Sequence, residues 1–284
     1  MIKALRKDQA LIDDILQHEG SNDLHCWWLG QSGFLVQYLE KRLLLDPYLS
    51  DSLTLKYAST DKPHERISEL VINPILFPRI DLITSSHNHT DHLDAATLKP
   101  ILENSPACKL IIPEANRDFV ADRLQIDKTL PIGLNDGETY QDETFKVTAI
   151  PAAHNNIDRN EAGQCHYLGY FITVGGIRIY HSGDTLYYSE MEKLIRDFAP
   201  HVALLPINGN VASRKVAGNL NAEEAVDLAK SCNIPYVIPC HYDLFAFNTA
   251  DVNEFIKLAK AKQQGYVVLH LGGKWSGKEL GIDQ

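Results

Sequence analysis

The stretch that decides the fold is Ser86-His87-Asn88-His89-Thr90-Asp91-His92, in which three histidines and one aspartate fall within six residues. An apolar run with β propensity precedes it at residues 79–84. Residues 93–102 follow with the pattern of a helix that Asp94 would cap. We call residues 86–92 the histidine loop. It is predicted to lead from a strand into a helix, where open α/β sheets place their ligand sites.

The residue types in the histidine loop indicate a metal site. Imidazole nitrogen and carboxylate oxygen are ligands that borderline divalent ions prefer. A bound cation would also offset the desolvation and mutual crowding of so many polar side chains. The alternative is a polar surface loop that happens to be rich in histidine, and the clustered ligand spacing argues against it.

The composition is that of an ordinary globular protein with a sizeable core. The chain has 284 residues, of which 44% are hydrophobic and 23% are charged. Its net charge of -10 argues against a general nucleic-acid binder, which needs a basic face. An anionic substrate remains compatible with this charge, because a metal ion or a few arginines can invert the local field.

Three features predict a cytoplasmic protein. Residues 1–20 have the pattern of an amphipathic helix and lack the apolar core of a signal peptide. No apolar run is long enough to cross a membrane. The cysteines are odd in number and show no CxxC spacing, which fits a reducing compartment. They are Cys26, Cys108, Cys165, Cys232 and Cys240.

The order of predicted elements indicates an α/β architecture, with sheets layered between helices. Strands at 24–29, 34–38 and 42–45 form early hairpins, and residues 50–75 form a long loop or short helices. Later strands are predicted at 109–113, 145–150, 167–174, 177–180, 202–206, 236–239 and 266–271, and helices at 115–124, 189–198, 222–230 and 252–262. We expect a single domain over 1–284, with the helix of residues 1–20 packed on it.

Three further candidate ligands each follow a predicted strand. His154 comes after the strand at 145–150, Asp184 sits in a Ser-Gly-Asp turn after 177–180, and His241 follows 236–239. A single histidine is more often structural, and an aspartate in a turn is often only a turn residue. Their shared position at strand ends, together with the histidine loop, favours metal ligation. We expect His181 to orient a neighbour and Cys240 to pack in the core.

Together these residues predict two ions. We expect His87, His89 and His154 to hold one ion, and Asp91, His92 and His241 to hold the second, with Asp184 between them. Each ion would keep an open position, which is typical of catalytic sites and not of structural zinc. Two such ions would lie about 3.5–4 Å apart and share a water whose pKa falls toward ~7.

Other polar residues near predicted loops have solvated surface as their default interpretation. They are Arg159, His166, Arg214, Lys215 and Lys274. We name Arg159, His166 and Arg214 as candidate substrate contacts. If the substrate carries phosphate, Arg159 or Arg214 could bind it in a bidentate manner.

The motifs, taken in order, resemble those of the metallo-β-lactamase superfamily over nearly the whole chain. The flanking sequences are similar to the L-ascorbate-6-phosphate lactonase branch. Those sequences are Trp27-Trp28-Leu29-Gly30, the histidine loop with Leu93-Asp94, Tyr180-His181-Ser182-Gly183-Asp184 and Val237-Ile238-Pro239-Cys240-His241-Tyr242-Asp243. The resemblance implies an αββα four-layer sandwich with a dinuclear site at one edge of the sheets. It also implies hydrolysis with manganese or zinc.

The leading functional hypothesis is a lactonase that opens a small sugar-acid lactone, with or without a phosphate group, by attack of a metal-bridging hydroxide. Asp91 would orient that hydroxide and carry a proton to the leaving alkoxide. One alternative is a phosphodiesterase acting on a nucleotide or a lipid-derived diester. Another is a non-enzymatic metal-binding sensor, since a fold does not dictate a function. We expect a small-molecule substrate and neither nucleic acid nor membrane as a partner, and leave a homo-oligomer open.

Overall fold

The computed structural model describes residues 1–214 and 216–281, which form two mixed β-sheets flanked by helices. The strands are β1 (Ser21–Gly30), β2 (Gly33–Leu39), β3 (Lys41–Leu45), β4 (Leu82–Thr84), β5 (Lys109–Pro113), β6 (Ile132–Leu134), β7 (Thr139–Gln141), β8 (Lys146–Pro151), β9 (Leu168–Val174), β10 (Ile177–His181), β11 (Val202–Pro206), β12 (Tyr236–Cys240), β13 (Gly265–Tyr266) and β14 (Lys274–Ser276). The layered α/β fold predicted from the sequence is confirmed.

The helices are mostly short and connect or cover the strands. They are α1 (Gln9–Gln17), α2 (Ser52–Tyr57), α3 (Ala95–Asn104), α4 (Arg117–Leu124), α5 (Met191–Phe198), α6 (Ala222–Ser231) and α7 (Val252–Ala261). Short 3₁₀ turns occur at Pro74–Leu76, Glu114–Asn116, Ala212–Arg214 and Lys278–Leu280. Every helix among the described residues falls short of the length and apolarity that a bilayer crossing requires.

Each sheet has an antiparallel half and a parallel half. The first sheet runs in the order β14-β1-β2-β3-β4-β5-β6, and the strands from β3 to β6 are parallel. The second sheet runs β13-β12-β11-β10-β9-β8-β7, and the strands from β10 to β13 are parallel. The carboxyl ends of neighbouring parallel strands meet at one edge of a sheet, so the loops that follow them are brought together there.

The core lies between the two sheets, and one cluster of buried apolar side chains includes residues of both. Tyr170 of β9 donates its hydroxyl to the backbone carbonyl of Ser85 at 2.9 Å, just after β4. The backbone N–H of Leu168 donates to the carbonyl of Ser86, also at 2.9 Å. These two bonds fix the start of the histidine loop against the second sheet.

Helix α1 packs on the first sheet through its apolar face. Leu11 and Ile15 are fully buried. Trp27 of β1 donates its indole N–H to Asp14 at 2.7 Å, and the Gln37 side chain of β2 donates to the carbonyl of Ile15 at 3.0 Å. The N-terminal amphipathic helix predicted over 1–20 is therefore present, but it is shorter than predicted.

The prediction for the end of the chain is wrong in one respect. The strand expected over 266–271 is only β13, which ends at Tyr266, and the chain then leaves the second sheet. It crosses to the first sheet, where β14 pairs antiparallel with β1. Strands β6 and β7 were not predicted, because each is three residues long and partly exposed, so neither shows a clear apolar alternation. Residues 50–75 contain α2 and a 3₁₀ turn, as the irregular pattern suggested.

Candidate metal centre

All seven predicted ligands lie on loops that leave strand ends at one edge of the two sheets. The histidine loop follows β4 and continues into α3, which Asp94 caps by accepting from the backbone N–H of Ala96. The other three ligands, on loops that follow β8, β10 and β12, are His154, Asp184 and His241. Because the first loop comes from one sheet and the others from the second, the cluster spans the gap between the sheets.

The ligand atoms form overlapping groups in which all atoms lie within 4.8 Å of one another. One group is His87, His89 and His154, another is Asp91, His92 and His241, and a third is His87, His92 and Asp184. The first two are the sets predicted for the two ions. Their ligation of a metal stays a prediction.

Asp184 lies between the two predicted sets. Its Oδ2 is 3.4 Å from Nε2 of both His92 and His241, and 3.6 Å from Nε2 of His154. A carboxylate placed in this way faces histidines of both sets. This is the position that a bridging ligand requires.

Several polar atoms inside the cluster lack a hydrogen-bond partner among the described residues. Nε2 of His87, Nε2 of His92 and Oδ1 of Asp184 are all buried and unpaired. Leaving such an atom unsatisfied costs about 1–3 kcal/mol. Imidazole nitrogen and carboxylate oxygen are also the atoms that a divalent cation accepts as ligands. The residues present therefore fit bound divalent cations.

Asp46, which the sequence analysis missed, holds the histidine loop through hydrogen bonds to Ser86 and His92. It follows β3 and has a left-handed backbone, with φ 38°. Its carboxylate accepts from the backbone N–H of Ser86 at 2.8 Å, from the Ser86 hydroxyl, and from Nδ1 of His92 at 2.6 Å. This contact directs Nε2 of His92 into the cluster, as outer-shell carboxylates do for metal-binding histidines.

Two further contacts hold ligands in place. Nδ1 of His154 donates to the carbonyl of Gly218 at 2.8 Å, which leaves Nε2 to face Asp184. Gln31, in the turn between β1 and β2, donates its amide to Asp91 at 2.8 Å, and the same nitrogen is 3.0 Å from Nε2 of His241. Gln31 and His241 have φ of 51° and 63°. Non-glycine residues rarely adopt such angles, which tend to occur at functional sites.

The pKa values follow from burial and mutual charge. Burial lowers the pKa of His87 and His89, that of His89 to about 4, and neighbouring histidines add to the effect. Burial also acts on His92, but the carboxylates of Asp184 and Asp91 outweigh it and raise its pKa well above the ordinary value. Burial opposes ionisation of Asp184, but His241 and His92 hold its pKa well below the usual range. At neutral pH these pKa shifts favour neutral imidazoles at His87 and His89, an imidazolium at His92 and an ionised carboxylate at Asp184.

The cluster opens into a cleft of about 400 Å³. One part of its wall is apolar and aromatic, formed by Leu53, Tyr57, Phe119, Val216, Ala217 and Phe245. The polar residues around it include Lys56, Lys62, His64 and Arg123. Five of these residues lie between positions 50 and 75, so that segment shapes access to the site.

The candidate substrate contacts named from the sequence lie elsewhere. Arg159 pairs with Asp136 at 2.8 Å and lines a different cavity. Nδ1 of His166 bonds to Asn116 at 2.9 Å, and His166 does not line the cleft. Arg214 donates to the backbone carbonyls of Asn208 and Thr249, so it joins two loops, and it does not line the cleft.

None of these three side chains lines the cleft of the ligand cluster, so these expectations are corrected. Lys215 lies outside the described residues. Lys274 is in β14, at the edge of the first sheet. The basic residues that do line the cleft were missed. Arg123 could have been found, since its predicted helix follows a strand that ends at the same edge of the sheet.

A family model described as beta-lactamase superfamily domain matches residues 26–241. A UPF0173 metal-dependent hydrolase of Methanosarcina mazei is 30% identical over 257 residues, covering 89% of this chain and 97% of that protein. One from Pyrococcus furiosus is 31% identical over 238 residues, covering 83% and 92%.

Among solved structures, Igni18, a metallo hydrolase from Ignicoccus hospitalis, superposes with a TM-score of 0.64 at 25% identity, covering 89% of this chain and 98% of that one. The isothiocyanate hydrolase from Delia radicum gut bacteria shares the fold, with a TM-score of 0.67 at 16% identity, covering 88% and 98%. The residues matched by the family model include all seven candidate ligands.

Proposed function

Since the chain belongs to the metallo-β-lactamase superfamily and is a metal-dependent hydrolase, we propose that the bond it hydrolyses is the cyclic ester of a small lactone. The observation that carries the proposal is the group of unpaired buried ligand atoms on His87, His92 and Asp184 beside a small cleft. A cleft of about 400 Å³ suits a small molecule and not a polymer. The lactone itself is supported by the similarity of the flanking sequences to the lactonase branch.

We assign the ligand sets as predicted, with two divalent ions, manganese or zinc, and with Asp184 between them. Ions held there would supply Lewis-acid polarisation of a carbonyl oxygen and a lowered pKa for water. The chain contributes the orientation of the ligands. Asp46 fixes His92, and the Gly218 carbonyl fixes His154, so that each presents Nε2 to the cluster.

We assign the proton-transfer role to Asp91, which lines the cleft beside the ligand histidines. Burial opposes its ionisation, but His92 and His241 outweigh burial and lower its pKa, so the carboxylate is ionised at neutral pH. The Gln31 amide holds one carboxylate oxygen, Oδ2, at 2.8 Å. Asp91 then takes a proton from the attacking water and delivers it to the leaving alkoxide oxygen as the ring opens.

The test is a panel of substrates offered to the purified protein loaded with Mn²⁺ or Zn²⁺. We expect turnover of lactones, and we expect His89→Ala to lower it by more than ~100-fold, since loss of an outer partner alone costs 10–100-fold. Arg159→Ala is the matched control, because this side chain lies away from the cleft, and it should keep full activity.

The same panel separates the alternatives. Turnover of bis-p-nitrophenyl phosphate without any lactone opening would replace the lactonase by a phosphodiesterase. A metal-loaded protein that is inert toward lactones, esters, thioesters and phosphodiesters would support a metal-binding sensor.

A further inference from the structure

The charged groups around the cleft are distributed unevenly. The acidic residues that line it are Asp91 and Asp184, both of which belong to the ligand cluster. Lys56, Lys62 and Arg123 line its wall. In a chain of net charge -10, the part of the cleft outside the cluster is therefore basic. Basic residues focused in a cleft attract an anionic ligand.

Arg123 is the most informative of these basic residues, because no carboxylate pairs with it among the described residues. Seven of the ten arginines form such pairs. Asp94, the acid with the largest electrostatic effect on Arg123, is already occupied. It accepts hydrogen bonds from the hydroxyls of Ser50, Ser52 and Thr97. The positive charge of Arg123 is therefore available to a ligand.

The guanidinium group of Arg123 is held rigidly next to the cluster. One of its terminal nitrogens donates to the backbone carbonyls of Asn88 at 2.6 Å and Leu93 at 3.2 Å. Its carbon lies 4.4 Å from the centre of the Phe119 ring, which also lines the cleft. Asn88 stands in the sequence between the candidate ligands His87 and His89. The guanidinium of Arg123 therefore contacts the histidine loop at the candidate metal centre. Its other N–H groups have no protein acceptor among the described residues.

Lys56 adds a second cation from a different element, α2. It is exposed, and its ammonium group lies 5.1 Å from the centre of the Tyr57 ring, which is part of the aromatic wall. No carboxylate pairs with it in the part of the chain that the structure describes. Helices α2 and α4 thus each present a cation and an aromatic ring to the same cleft.

We infer that Arg123 and Lys56 form an anion subsite beside the metal centre, which binds a carboxylate or phosphate group carried by the substrate. This inference deepens the proposed function and rests on it for the reaction, but the subsite can be tested separately. The rigid guanidinium fork suits the oxygens of either anion, and the lysine adds a flexible point charge. The subsite replaces Arg159 and Arg214 as the place where an anionic group would bind.

The experiment compares neutral and anionic members of two substrate pairs on the metal-loaded protein. The pairs are γ-butyrolactone with its ring-carboxylate derivative, and gluconolactone with its 6-phosphate. The readout is the ratio of kcat/KM for the anionic member to that for the neutral one. We expect Arg123→Gln and Lys56→Ala each to lower this ratio by about ten- to a hundredfold, as for loss of a hydrogen bond to a charged group. The substrate pair whose kcat/KM ratio falls more shows whether the subsite prefers a carboxylate or a phosphate group.

Matched controls separate this effect from a general loss of charge or of structure. Arg178→Gln removes another arginine that pairs with no carboxylate among the described residues, and Lys146→Ala removes an exposed lysine. Both lie outside the cleft. Both should leave the ratio unchanged. Because Arg123 also holds the histidine loop, metal content is measured for each variant. Among the described residues no hydrogen bond or ion pair joins Lys56 to that loop, so its variant remains informative if Arg123→Gln loses metal.

An unchanged ratio in Lys56→Ala and in a metal-replete Arg123→Gln protein would overturn the subsite. If no lactone is opened at all, the proposed function fails, and the subsite is then tested by calorimetric titration of inorganic phosphate and of acetate into the metal-loaded protein. Binding that weakens at least about tenfold in both variants, and not in the controls, supports the subsite. Equal binding in all the proteins rejects it.

Discussion

The carboxylate of Asp46 accepts hydrogen bonds from both ends of the histidine loop, from the backbone N–H of Ser86 and from Nδ1 of His92. Both side chains of the Asp46–His92 pair are fully buried. Water therefore cannot replace either group if its partner is removed. His92 is an evident candidate ligand in the sequence. Its orientation nevertheless depends on Asp46, which the sequence does not reveal as part of the site.

We predict that Asp46→Asn lowers metal affinity by about 10–100-fold, which is the usual cost of losing an outer-shell partner. The amide oxygen of this variant can accept a hydrogen bond from His92 or from Ser86. Its NH₂ group then faces the other of these two donors and cannot accept a hydrogen bond from it. Competition with a metallochromic indicator measures the affinity. Asp118→Asn, at an exposed position on α4, is the control and should bind metal like the unchanged protein. Equal affinity in the two variants would show that Asp46 does not orient the ligand.

Residue type explains what the sequence revealed at this scale. Histidines and aspartates just after apolar strands are recognisable candidates, and the structure brings all seven together. Gln31 and Asp46 carry no such signal, because glutamine is common in turns and Asp46 stands before a proline as an ordinary strand terminator. The basic residues of the cleft were missed for a different reason. Whether an arginine is engaged or available depends on its tertiary contacts.

Helix α1 shows how an element contributes stability at a distance from the site. Its buried face is held by Leu11 and Ile15, whereas Leu16 on the same helix is 45% exposed. We predict that Leu11→Ala lowers the free energy of unfolding by about 2–5 kcal/mol. Leu16→Ala should change it by no more than about 0.5 kcal/mol.

Urea unfolding of the metal-loaded proteins measures both values. Metal content should be the same in the two variants, because α1 contributes no candidate ligand. A similar loss of stability in both would mean that α1 does not pack as described.

The elements that the sequence predicted best are those with long apolar patterns. Strands β1, β9 and β11 are buried over most of their length and were placed within a few residues. The run at 266–271 is also apolar, yet only its first residue lies in a strand. Glycines at 272 and 273 follow it, and Gly272 has φ 73°. The chain turns there toward β1, and local periodicity does not reveal to which sheet a terminal segment returns.

At the scale of the whole molecule, the candidate ligands come from both sheets, so a bound cation would connect them. We predict that a chelator lowers the Tm, and that Mn²⁺ or Zn²⁺ restores it. A cation at about 1,000 times its Kd adds roughly 4 kcal/mol to the free energy of unfolding. For a chain of this size that corresponds to a shift of about 10 °C.

Differential scanning calorimetry with and without chelator measures the shift. The His89→Ala variant should respond less to the chelator, because it lacks one of the ligands. An identical Tm in the presence and absence of chelator would contradict a cation that joins the sheets.

The spacing of the ligands along the chain has a consequence for biosynthesis. A nascent chain that has emerged from the ribosome as far as β8 presents the histidine loop but neither Asp184 nor His241. The second sheet must be built out to β12 before the last ligand arrives. The predicted set of His87, His89 and His154 is therefore complete soon after β8, whereas the predicted set that includes His241 is complete only when most of the chain has been translated.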